Sequence, residues 1–218
     1  MTPAVLIVAS TRIHVDPQEI LRIQDTAAVL LEQGFAVDVL VPRISPLMAA
    51  SFDRNIRVFT VPRVPFSHNP PDRPSGRRFL AATLMFFRGI ALAMRRDYAV
   101  LHGVNDGALV ARIISRSLVG HVPCVAEVHR PFSRIRFLKT PLTALAGRFE
   151  RALLRHASAI ILPDEDTLAQ FNGGLPKARV SFIPDPHAEL SPDAFTYGEF
   201  SLALEHIYDY VLKLNPDQ

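Results

Sequence analysis

The sequence predicts an α/β fold, a mostly parallel sheet of about six strands layered between helices and closed by an amphipathic C-terminal helix. Three observations carry this reading. Short apolar runs alternate with helical stretches along most of the chain, which is the order of a parallel sheet with crossover helices. Those runs, such as VLIVA near the start, are apolar throughout instead of alternating with polar residues, so both faces of the sheet should be covered. Residues 98–132, YAVLHGVNDGALVARIISRSLVGHVPCVAEVHRPF, then read as strand, helix and strand. Such a unit is right-handed and sets its two strands parallel.

Taken in order, residues 4–10 form the first strand and residues 17–33 the first helix, with Asp16 as N-cap, Pro17 in the first turn and Gly34 as the C-terminal stop. Ile20, Ile23, Ala27, Leu30 and Leu31 are its apolar stripe. Residues 35–41 give a second strand and 57–61 a third. A proline-rich stretch, PRVPFSHNPPDRPSGRR, follows and reads as a surface segment. Residues 79–94, FLAATLMFFRGIALAM, form a helix that is apolar nearly all round. At this length, with Arg88 and Gly89 inside, it is too short and too broken to span a bilayer. Two readings stay open for it: a buried core helix, or a helix lying on a membrane surface between arginine pairs.

In the 98–132 unit, Asn105 and Asp106 are read as the cap of the helix. Residues 140–156 form a further basic helix and 158–162 a strand. Asp164 caps a short helix, and residues 179–183 make the last strand, closed by Pro184. Near the end, Thr196 and Glu199 have capping-box spacing, and Phe195 and Phe200 stand where a hydrophobic staple would put them. Phe200, Leu204, Ile207, Val211 and Leu214 fall on one face, and that stripe needs a surface to cover, for which the sheet domain is nearest.

Composition narrows the function. Hydrophobic residues make up 49% and charged residues 21%, a folded globular balance. The single cysteine, Cys124, lies in an apolar strand and reads as an inert buried thiol, in keeping with a reducing, cytoplasmic compartment. The N-terminus lacks a signal-peptide pattern. Net charge is +3, but residues 1–184 carry +9 against an acidic tail, and nearly all the bases are arginine. Arginine suits phosphate and other oxyanions, although a solvated basic surface accounts for the pattern equally well. A P-loop, a nucleophile elbow, paired-cysteine metal spacing and a helix-turn-helix signature are all missing, and no aromatic-basic interleaving points to nucleic acid. Neither metal ligation nor a cofactor is expected.

The order of AVLIVAS, LLEQGFAVDVLVP, IRVFTVPR, RRDYAVLHGVND, HVPCVAEVHRPF, FERALLRHASAIILPDEDTLAQF and ARVSFIPDPHAEL resembles the N-terminal half of a family 4 glycosyltransferase of the GT-B fold. The resemblance covers about residues 4–190. It implies a single Rossmann-like three-layer domain over 1–190, with residues 191–218 as a helix returning to it. In that family the N-terminal domain holds the acceptor and a second domain holds the sugar nucleotide through a basic residue and an E-x7-E pair. After FIPDP only about thirty residues follow here, with no second set of strands and no E-x7-E. The first βα segment, STRIHVDPQE, lacks the glycines that approach donor phosphates, Asp185-Pro186 replaces a frequent Asn-Gly, and Pro163-Asp164 replaces a common serine. Donor chemistry is therefore not expected of this chain alone.

Ligands of open parallel sheets gather outside the carboxyl ends of the strands. His102 and His129 end the two central apolar runs, so both are expected to face one crevice, with His129 at the family position that approaches the reacting sugar. They are the catalytic candidates. His14 and Arg12 in the first βα segment, Asn105 and Arg130 are the candidate substrate-binding residues. Glu127, inside an apolar strand, needs a partner, expected from an arginine in the 130–155 region.

The resemblance implies a glycosyltransferase-like acceptor half, of hexosyltransferase class if active. It would work with a separate donor-domain subunit on a sugar or lipid-linked acceptor in envelope or exopolysaccharide glycosylation. It would be cytoplasmic and peripheral at the inner face of an anionic membrane. The competing reading is a non-catalytic binding or scaffold protein, as a homodimer, derived from the same fold.

Overall fold

Among the described residues of the computed structural model fourteen elements follow one another: β1 (Ala4–Val8), α1 (Pro17–Glu32), β2 (Ala36–Val41), α2 (Pro46–Ala50), β3 (Arg57–Thr60), α3 (Gly76–Ala93), β4 (Val100–Val104), α4 (Asp106–Ser117), β5 (Cys124–Glu127), α5 (Thr140–Leu154), β6 (Ala159–Leu162), α6 (Glu165–Ala169), β7 (Val180–Phe182) and α7 (Tyr197–Lys213). The structure describes residues 2–9, 17–42, 44, 46–62, 76–118, 122–129, 140–171, 174–176, 179–184 and 196–214. Asp16, Phe195 and the proline-rich stretch after Pro62 lie outside them.

The strands form one all-parallel sheet in the order β3-β2-β1-β4-β5-β6-β7. Among the described residues seven strands stand where about six were expected, and each falls on a run read above as a strand. The short edge strand β7, Val180–Phe182, coincides with residues 179–183 and pairs parallel with β6 on its inner side. The order reverses between β1 and β4, so the ligand crevice of such a sheet belongs at their carboxyl ends.

Period-two alternation along each buried strand divides its side chains between two helical layers. Val5, Ile7, Val39, Val104 and Val125 face α1 and α7 together with Ile23, Leu30, Phe200, Leu204 and Val211. Leu6, Val8, Leu40 and Leu101 face α3 and α4, where Met85, Val110 and Ile114 meet them. That second face continues under α5 and α6 with Ala126, Ile160, Leu154 and Phe171.

Helix ends follow the sequence signals in most places. Gly34 has φ +86, and the Phe35 amide donates back to the Leu30 carbonyl at 2.9 Å, the αL turn that ends α1. Thr196 and Glu199 make the reciprocal capping box that starts α7, and Asp164 accepts from the Thr167 amide at 2.6 Å. The α7 stripe covers the sheet as expected with Phe200, Leu204, Ile207 and Val211, whereas Leu214 is half exposed. One cap departs from expectation: Asn105 makes no side-chain bond to the α4 amides, because its side chain is engaged elsewhere.

At the amino edge of the sheet, buried Asp38 on β2 accepts two bonds from Arg57 (2.8 and 2.7 Å), further bonds from Arg96, and one from the Tyr98 hydroxyl at 2.6 Å. This cluster ties β2 and β3 to the start of β4. Burial, with Asp38 beside it, holds the Tyr98 phenol protonated far above its usual range. Cys124 is buried and its thiol is pushed up to about 12 by burial, so it stays a thiol.

Candidate functional site

Glu127 is the last residue of β5, pointing to the α1/α7 side of the sheet with no solvent exposure. An isolated carboxylate there would be costly, and three cationic or N–H donors surround it. Arg22 on α1 donates from Nε to Oε1 at 2.7 Å, His129 Nε2 lies 2.6 Å from the same oxygen, and His102 Nε2 lies 3.0 Å from Oε2. Burial alone would push this carboxyl up. The Arg22 guanidinium and the bonds from both histidines outweigh it and hold the group well below the usual carboxylate range. Glu127 is therefore an anion at neutral pH.

The partner of Glu127 thus comes from α1, not from residues 130–155. Arg22 is itself only 2% exposed. Its remaining donors reach the Pro184 carbonyl at 2.9 Å and the Ile183 carbonyl at 3.4 Å, just past β7, and its guanidinium lies 4.3 Å from the Phe200 ring centroid on α7. One arginine consequently joins α1, β5, the exit of β7 and α7.

His102 is not at a strand end. It sits in the middle of β4, fully buried, paired in register with Ile7 and Val125. The rim position that the histidine-ended run suggested is taken by Asn105, because β4 continues through Gly103 and Val104. The His102 Nδ1 lies 2.8 Å from the Tyr208 hydroxyl on α7. Since Glu127 is anionic, His102 Nε2 carries the hydrogen that faces it. In the neutral ring Nδ1 is then the acceptor, and Tyr208 donates. Burial and the Glu127 charge keep the Tyr208 phenol protonated well above its ordinary range, which suits a donor. His102 is thus an interior strut between α7 and Glu127, with no path to a ligand.

His129 occupies the carboxyl edge. It lies two residues past Glu127 and its side chain retains 18% exposure. By the same logic Nε2 carries the hydrogen toward Glu127, which leaves Nδ1 with no partner among the described residues. A carboxylate that fixes ring orientation and tautomer in this way prepares the other nitrogen for a hydroxyl or for a charge that develops beside it. The two imidazoles do not share one crevice as expected: His102 is enclosed within β4, and His129 keeps partial exposure past the end of β5. What unites the pair is a single carboxylate.

Asn105 sets the backbone of this edge. It has φ 51, the only positive φ of a non-glycine residue among those described. Its amide donates to the Glu127 carbonyl at 2.7 Å, its Oδ1 accepts from the His129 amide at 2.9 Å, and its Nδ2 donates to Glu19 on α1 at 2.7 Å. Two flanking glycines make that turn possible. A Cβ on Gly103 would sit 2.3 Å from the Ala108 Cα, and one on Gly107 would sit 2.3 Å from the Val8 carbonyl oxygen. The start of α4 therefore presses directly on the end of β1, and these contacts hold Asn105 at its positive φ.

His14, Arg12 and Arg130 lie outside the described residues. Arg22, Glu19 and Tyr208 belong to the site and were not singled out from sequence. Among the described residues no group of histidine, cysteine or acidic side chains has the arrangement to hold a metal ion.

The model of Glycosyltransferase Family 4 matches residues 22–186, a span that holds Arg22, His102, Asn105, Glu127 and His129. The chain belongs to glycosyltransferase family 4. No curated protein matches it in sequence. Among solved structures this family 4 domain is similar to sucrose-phosphate synthase from Thermosynechococcus elongatus, at 14% identity and TM-score 0.61 over 84% of this chain and 48% of that one. A shorter polypeptide of the same synthase, whose name carries two residue ranges, matches at 13% identity and TM-score 0.64 over 96% of this chain and 98% of its own. Arabidopsis thaliana UGT89C1, complexed with UDP, matches at 11% identity and TM-score 0.58 over 94% and 57%. The likeness concerns the GT-B half-fold, and the family 4 chain spans about half the length of the full synthase it matches.

Proposed function

We propose that this chain is the acceptor-binding half of a family 4 glycosyl transfer system, with His129 at the acceptor and the sugar nucleotide supplied by a separate donor domain. The observation that carries this is His129 at the carboxyl edge of the sheet, its ring held by a buried anionic carboxylate and its Nδ1 left for a ligand. A sugar hydroxyl donating to Nδ1 gives up its proton as its oxygen bonds the donor carbon. That carbon's bond to the phosphate oxygen breaks and the nucleoside diphosphate leaves into the donor domain, and the imidazolium so formed faces Glu127 and is stabilised by it. The acceptor is a lipid-linked sugar or polysaccharide end of envelope or exopolysaccharide assembly, and the reaction is hexosyl transfer. The match to a half-length synthase polypeptide supports α7 as the helix that, in two-domain relatives, returns to seal the N-terminal domain.

Isothermal calorimetry on the purified chain tests this. Soluble saccharide acceptors should bind saturably, nucleotide sugars alone should not, and His129→Ala should weaken acceptor binding by about tenfold, the loss of one hydrogen bond to a charged or polarised group. A stable homodimer that binds neither class favours the scaffold reading and refutes this one.

A further inference from the structure

The helix that is apolar nearly all round, α3, has its sheet-facing arc filled by Met85, Gly89 and Leu92. The opposite arc should carry charge if it met only water. It does not. Phe79 is 77% exposed, Phe87 63% and Met94 78%. Met94 and Arg95 follow the last residue of α3, with the Met94 amide still on the Ile90 carbonyl at 2.9 Å. Carried on at about 100° per residue, Phe79, Thr83, Phe87 and Met94 fall within about 80° of one another, and Arg88 and Arg95 stand about 80–100° further round from Phe87. No acidic residue occurs in α3. On the same side of the sheet, beyond α4, α5 exposes Leu145 and Phe149 around Arg148, and its one acid, Glu150, is buried.

We propose that α3 lies flat on an anionic bilayer surface, with Phe79, Phe87 and Met94 inserted at the headgroup boundary and Arg88 and Arg95 on lipid phosphates. The charge pattern selects this occupant. Exposed aromatic and thioether side chains beside Arg88 and Arg95, with exposed Asp97 the nearest acid along the chain, match an apolar layer topped by phosphate, whereas a protein face would have to supply the counter-charge for both arginines itself. The helix cannot go deeper, because among the described residues no helix is long and apolar enough to cross a membrane.

Orientation gives the contact its use. Because α3 leaves the carboxyl end of β3 and enters the amino end of β4, its Phe79 end lies at the edge of the sheet where His129 sits. Lying on the bilayer by this face leaves the opposite α1/α7 layer, with its buried Glu127 cluster, away from lipid. A lipid-linked acceptor would then rise from the membrane beside the catalytic edge. This last point rests on the acceptor reading above; the surface contact itself does not.

The test is flotation of the full chain with vesicles of phosphatidylcholine and phosphatidylglycerol, against phosphatidylcholine alone, at low and high salt. The wild-type chain should float with the anionic vesicles at low salt and partition at least about tenfold less onto neutral ones. Combined Phe79→Ser, Phe87→Ser and Met94→Gln should abolish flotation, and Arg88→Glu with Arg95→Glu should reduce it about tenfold or more. These positions are exposed, so unchanged circular dichroism verifies that the variants fold. Wild-type protein that stays at the bottom of the gradient, a triple variant that floats as well as wild type, or equal flotation on neutral vesicles each overturns the proposal. So does a solution dimer that the triple variant disrupts, since the face would then belong to a second copy. Soluble saccharide binding, read separately by calorimetry, is independent of vesicles: flotation lost with binding intact refutes this surface alone, and binding lost with flotation intact refutes the acceptor reading alone.

Discussion

Arg22→Met is the sharpest perturbation of this architecture. Methionine keeps most of the arginine stem and deletes the guanidinium. The pair it breaks is enclosed, with side chains 2% and 0% exposed and a 2.7 Å contact. Removing one member of such a pair leaves the other charge buried and costs about 3–5 kcal/mol. The carbonyls of Ile183 and Pro184 lose their donors in the same step. For a domain of this size each kcal/mol corresponds to roughly 2–4 °C, so the melting temperature should fall by about 6–20 °C.

Chemical denaturation at neutral pH measures the free energy, and a cycle with Glu127→Gln measures the coupling, expected at about 1–3 kcal/mol because the double variant no longer buries an unpaired charge. The pH dependence adds a second readout. Glu127 titrates well below its ordinary 4.5 in the folded chain. Its contribution is therefore fully present above about pH 4.5 and is lost as pH falls below that value, where the unfolded chain takes up the proton first. In Arg22→Met, burial is opposed only by the histidine bonds, so the folded carboxyl moves up and this acid-side loss becomes shallower. A variant within about 1 kcal/mol of wild type, with an unchanged acid limb, would refute the claim that Arg22 holds Glu127 ionised.

Two further outcomes follow from the same cluster. Tyr208→Phe removes the donor to His102 Nδ1 in a fully buried setting, so urea denaturation should show a loss of about 1–3 kcal/mol; an unchanged midpoint means that Tyr208 is not the donor. Asn105→Gly and Asn105→Ala both forfeit the bonds to Glu19 and to the His129 amide. Only alanine also places a Cβ at φ 51, so it should be less stable than glycine by about 1–2 kcal/mol; the reverse order would show that the backbone at this position is not strained.

Much of this protein is written along the chain. Continuous apolar runs, Gly34 after α1, Asp164 before α6 and the Thr196/Glu199 pair before α7 each act through neighbours a few residues away, so periodicity and capping chemistry place the elements. Glu127 was legible as a buried acid in want of a partner, and His129 as a residue at the carboxyl edge. The stripe of α7 was legible too, and Tyr208 stands one residue from Ile207 on it. Tertiary structure decided the rest. Arg22 precedes Glu127 by 105 residues and Tyr208 follows His102 by 106, so no local spacing joins them. His102 became an interior strut because β4 runs two residues past it. Asn105 gave up its role as a cap because packing of α4 on β1 turned its backbone to positive φ and aimed its side chain at α1. Short-range order is set by the residues themselves. Which buried charge meets which is set only when the sheet brings α1, β4, β5 and α7 together, where the low dielectric makes each pairing obligatory.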